Sequence, residues 1–197
     1  MPNTIKDGAG AGYVAKVNAN NRLYTNAITT NETEQANKVG NAYNINSGFI
    51  TLTDAVDTPV LYFKNNETTD YHITTMVVGL FTSTGGTGDS PYMTVIRNPT
   101  SGTIISGAAA VDIHSNRNFA SSNTLASDAY KGATGSTMTN GFDHIIGLCK
   151  EDSRNAFPID EVIPKGTTIG IKVKPRTSNT SLKIYVALIG HLEDANE

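Results

Sequence analysis

The 197-residue chain contains no tryptophan, a single cysteine at position 149, and few charges: 15 Lys+Arg against 18 Asp+Glu, or 17% of residues. One thiol cannot close an intrachain disulfide, so stability must come from packing or from association. A net charge of −3 with 38% hydrophobic residues excludes disorder driven by charge repulsion. It also leaves no basic surplus to neutralise phosphates or anionic lipid, so neither nucleic acid nor a membrane is an expected partner. Apolar runs such as 76–81 and 185–189 are far shorter than a bilayer span. In residues 1–30, Ile5, Val14, Val17, Leu23 and Ile28 are scattered among polar groups, without the apolar segment of a signal peptide. The chain is expected to remain in the cytoplasm where it is made.

Catalytic and metal signatures are equally scarce. His72, His114, His144 and His191 show none of the short spacings of a zinc site, so no metal and no cofactor are expected. Cys149 follows His144 by five positions, but in the apolar run IIGLC it reads as a small buried hydrophobe. Asp54 and Asp57 sit in a turn sequence, where Asp binds its own backbone. Asp160 and Glu161 are a carboxylate pair of the type glycosidases use, yet neighbours in a strand point to opposite faces. The run TSTGGTG has no Gly-Lys-Ser/Thr after it, which removes a phosphate loop. No enzyme is expected.

What is abundant is Asn (20), Thr (26) and Gly (18), residues that favour turns and strands over helices. Residues 1–45 read as an N-terminal arm: a flexible KDGAGAG lead, a hairpin in YVAKVNANNRLY, and a short helix over 30–39 with Glu32 and Glu34 in its first turn. From residue 46 to 197 the chain reads as a body of short β-rich runs: 49–53, 60–64, 71–81, 92–98, 103–106, 144–150, 156–163, 168–174 and 181–192. No amphipathic helix separates them, which predicts an all-β, antiparallel sandwich or barrel rather than an α/β fold. In the last run Leu182, Ile184, Val186 and Leu188 share one face, the expected core face. Residues 107–143 are poor in strand patterning and predict long loops, where function or an interface commonly lies.

Four stretches carry a resemblance: GNAYNINSGFITLTDAVDTPVLYFKNNE (40–67), IRNPTSGTIIS (96–106), NRNF (116–119) and VIPKGTTIGIKVKPRTSNTSLKIYVALIGHLED (162–194). They resemble small virion structural proteins of tailed bacteriophages, jelly-roll modules that decorate capsids or serve as head fibres and tail accessories. The DGAGAGYVAKVNANNRLYTN segment is similar to the N-terminal arm of those proteins. The resemblance implies a jelly-roll-like fold, no catalytic residues, and a capsid decoration or cement protein made in the host cytoplasm. Its expected place is the capsid surface rather than the tail, and its expected partners are the major capsid protein or another virion protein. A homotrimer would multiply weak lattice contacts. Tyr13, Val14, Lys16, Val17, Arg22, Leu23 and Tyr24 supply aromatic and Arg anchors of the kind that concentrate at interface centres, so the arm is the expected capsid or subunit contact. The alternatives are a head or tail fibre that recognises a host receptor through loops 82–91 and 107–142, and a carbohydrate-binding β-sandwich, which the lack of Trp disfavours.

Overall fold

The computed structural model describes residues 31–52, 55–82, 89–106, 114–150, 152–178 and 182–193. The lead and hairpin expected in residues 1–30, with all seven arm residues named above, lie outside these.

Among the described residues, two helices and eleven strands follow one another as α1 (Glu32–Val39), β1 (Ala42–Asn46), β2 (Ile50–Leu52), β3 (Thr58–Asn65), β4 (Tyr71–Thr82), β5 (Tyr92–Arg97), α2 (Thr103–Ser106), β6 (His114–Asn116), β7 (Ser127–Lys131), β8 (Phe142–Leu148), β9 (Ser153–Ile163), β10 (Thr168–Lys174) and β11 (Leu182–Leu192). They form two antiparallel sheets, β6-β1-β11-β4-β9 with β2 also beside β11, and β7-β3-β10-β5-β8. With β2, β6 and β7 set aside, the remaining eight strands in chain order read 1-8-3-6 in one sheet and 2-7-4-5 in the other. That is a jelly roll, an all-β sandwich built of two Greek keys.

Alternation dictates the core. Leu182, Ile184, Val186 and Leu188 of β11 are fully buried and meet Leu61 and Phe63 of β3 and Ile169, Ile171 and Val173 of β10 in one cluster. Strand β3 is buried on both faces because Tyr62, on its outer side, joins Ile96, Ile104 and Met138 in a second, smaller cluster. That cluster explains α2. The run TIIS is β-branched and was expected as a strand, yet it forms one helical turn after Gly102, whose φ is +122°. Reciprocal bonds between Thr103 and Thr137 hold the turn, and Ile104 is driven into the cluster, so packing overrides propensity.

Two further differences concern boundaries. β1 pairs with β11 over Ala42–Asn46, and α1 lies against β11, so residues 32–45, expected in the arm, belong to the sheet and its cover. The loop expected over 107–143 contains β7, which pairs residue for residue with β3 from Leu61 to Asn65. SDAYK carries too little β-branched character to announce itself.

Asparagine satisfies backbone in the loops. Asn118 Nδ2 donates to Lys38 O, and Asn123 Nδ2 to Val39 O and Gly40 O, which caps the C-terminal carbonyls of α1 from a distant loop. Buried Asn65 donates to Thr69 O and Ile163 O and accepts from Glu67 N, tying the β3-β4 turn to β9. Ser47 bridges β1 and β2: its hydroxyl accepts from Val186 N, so the β11 ladder is satisfied across the break.

Candidate interaction surface

β8 and β9 are the terminal strands of their sheets on the same flank, and among the described residues each pairs along one edge alone. Their chemistry differs. β9 carries Arg154, Pro158, Asp160 and Glu161, the charges and proline that blunt an edge against further pairing. β8, FDHIIGL, has its charge confined to its first half and no proline or lysine. Its second half alternates with the core-facing residues so that Ile146 and Leu148 point outward, paired with Thr94 and Tyr92 of β5.

These side chains are exposed: Phe142 by 78%, Ile146 by 65%, Leu148 by 59% and Tyr92 by 47%. Lys172 and Lys174 of β10 continue the row beyond β5, opposite Thr94 and Tyr92. Lys172 is held by Asp57 at 3.3 Å and Asp143 at 3.8 Å. An apolar strip on an unprotected edge, rimmed by charge, is the pattern of a protein contact.

The other sheet has a recess of about 540 Å³ on its outer face. Phe49, Phe81 and Tyr185 line one side of it, with ring centroids 5.3 to 6.1 Å apart. Asn44, Asn46, Ser115 and Arg154 supply polar groups. Gly79 makes the arrangement possible, because a Cβ there would lie 2.1 Å from the Tyr185 ring.

The sequence-derived candidates fall into place as follows. Cys149 is buried and its thiol is pushed up to about 11 by burial, which suits a hydrophobe and not a nucleophile. Its supposed partner His144 instead bonds Glu161, Nε2 to Oε1 at 2.9 Å. Asp160 is exposed on the opposite parity of β9, so the two carboxylates do not converge. Asp57 holds Lys172, and Asp54 lies outside the described residues. His114 lies in β6, apart in the chain's topology from β4 and β8. His72 and His191 are direct partners across β4 and β11, with rings stacked at 5.5 Å, a proximity that a separation of more than a hundred residues conceals. The strip on β8 was partly legible: Ile145 and Ile146 in succession put apolar side chains on both faces of an edge strand.

No family model and no curated protein matches the chain. Among solved structures, a Yersinia pseudotuberculosis-derived mitogen is similar at 11% identity and a TM-score of 0.28, over 81% of this chain and 92% of that one. The T13 particle of infectious bursal disease virus (IBDV) matches at 14% identity and 0.31, over 76% of this chain and 31% of that one. The Gx strain of infectious bursal disease virus matches at 14% and 0.28, over 75% and 32%. The chain thus spans about a third of the length of each viral chain. Likenesses at this level bear on neither activity nor assembly. Among the described residues no helix is long and apolar enough to cross a membrane.

Proposed function

We propose that the chain is a virion structural protein of a tailed bacteriophage, a capsid decoration or cement protein that binds the outer shell as a homotrimer. The observation that carries this reading is the exposed strip of Ile146, Leu148 and Tyr92 on the unprotected edge of the jelly roll. The resemblance of four stretches of sequence to such proteins supplies the identity of the partner. In this reading the strip contacts a neighbouring subunit or the capsid. Tyr13, Val14, Lys16, Val17, Arg22, Leu23 and Tyr24 supply a further contact with the capsid or a neighbouring subunit, and oligomerisation raises the effective concentration of both. No catalytic step is part of the proposal.

A second reading, a head or tail fibre that recognises a host receptor or glycan, is favoured by the recess beside Phe49, Phe81 and Tyr185, where rings stand next to Asn44, Asn46 and Arg154. Locating the protein in images of purified particles separates the two. Many copies over the shell support decoration, a few copies at the tail or at discrete head sites support a fibre, and absence from the particle sinks both.

A further inference from the structure

His191 is 2% exposed, and among the described residues neither of its ring nitrogens has a hydrogen-bond partner. Leaving a buried polar group in that state carries its full desolvation penalty. Its Nε2 lies 3.2 Å from Oε1 of Glu32, the first residue of α1, without meeting hydrogen-bond geometry. His72 stands beside it on β4, and one ligand atom from each of Glu32, His72 and His191 lies within 4.8 Å of the other two. Glu193 Oε2 is 4.0 Å from His72 Nε2. Two imidazoles and one carboxylate therefore converge under the N-terminal end of α1, on the outer face of the β11 sheet, with the Glu193 carboxylate beside His72.

We propose that Glu32, His72, His191 and Glu193 bind a divalent transition metal of the zinc class, which clamps α1 to the sheet. The donor set selects the ion. Zinc takes imidazole nitrogen and carboxylate oxygen in tetrahedral sites, whereas calcium and magnesium demand all-oxygen shells. Bond lengths of about 2.0–2.1 Å would set the ligand atoms about 3.4 Å from one another; Glu32 Oε1 and His191 Nε2 already stand at 3.2 Å, whereas His72 Nε2 and Glu193 Oε2, 4.0 Å apart, would have to approach. The movement falls to the partly exposed side chains of Glu32, His72 and Glu193, since His191 is fixed by burial. A bulge between Ile189 and Gly190 sets this register: it brings His191 opposite His72, on the face that α1 covers. Metal binding would give His191 the partner it lacks, and the solvent-exposed Glu32 carboxylate provides the path of entry.

The test uses the untagged full-length chain, stripped with chelator and titrated with Zn²⁺ by calorimetry and with Co²⁺ by visible absorption. One equivalent of Zn²⁺ should bind, Co²⁺ should develop the absorption of a low-symmetry site, and Tm should rise with metal concentration as linkage requires. His72→Ala and Glu32→Gln, both at partly exposed positions, should weaken Zn²⁺ binding by more than about 100-fold, beyond what loss of an outer-shell partner causes. No saturable binding by the wild type overturns the proposal. So does unchanged affinity in both variants, or an equal response to Ca²⁺.

Discussion

His144 on β8 and Glu161 on β9 meet across the two sheets, Nε2 to Oε1 at 2.9 Å. Each strand ends its own sheet among the described residues, so the pair bridges the two sheets at that flank, beside the apolar strip. Both side chains remain partly exposed, which limits the energy of the contact. His144→Ala should lower stability by about 1 kcal/mol or less. Chemical denaturation checks this, and a loss several times larger would mean that the pair holds the flank closed.

Gly79 and Tyr185 set the aromatic recess. Gly79→Ala places a methyl group where the Tyr185 ring lies and should cost about 1–3 kcal/mol, the usual range for overpacking. Because the chain has no Trp, its aromatic signals come from Tyr and Phe alone, so near-ultraviolet circular dichroism should register the displaced ring. An unchanged spectrum and Tm would contradict the close approach.

Tyr71 is buried between the sheets, its hydroxyl donating to Tyr43 O at 3.1 Å, and burial raises the phenol well above its ordinary value. Cys149 is raised in the same direction. In both groups the unfolded chain loses its proton first, so their contribution is complete below the unfolded pKa near 9 to 10. It is lost as pH rises towards the folded value. Stability should therefore fall from pH 9 upward, by on the order of 2 kcal/mol for Cys149 up to its folded value of about 11. Cys149→Ala should flatten that slope, and iodoacetamide at pH 8 should label the native wild type far more slowly than the unfolded chain. Rapid labelling of native protein would contradict the burial.

Deleting residues 1–31 should leave a folded body, since α1 and β1 remain and are joined to β11. Deleting 1–40 removes α1 as well, uncovers His191 and should lower Tm. Equal Tm for the two truncations would contradict the role of α1 as a cover.

Much of this fold was legible because β10 and β11 show an alternating apolar pattern and β10 is bounded by Pro164, Gly166 and Pro175. Strand order was not legible in itself, since pairing of β1 with β11 depends on contacts more than a hundred residues apart. TIIS was misread because its outcome is decided by Tyr62, Ile96 and Met138, distant in sequence. The Asn excess, at first a sign of turns, serves in part to cap α1 and bind loop backbone. The strip on β8 was visible only as adjacent isoleucines, and the histidine cluster not at all, because the β4 and β11 register creates it.

The most direct measurement is co-sedimentation of the purified chain with phage particles that lack it, comparing wild type with Ile146→Asp/Leu148→Asp. Both positions are exposed, so the variant should keep the wild-type Tm. The wild type should pellet with the particles and the variant should stay in the supernatant. A folded variant that pellets as the wild type does would contradict assembly through the β8 edge.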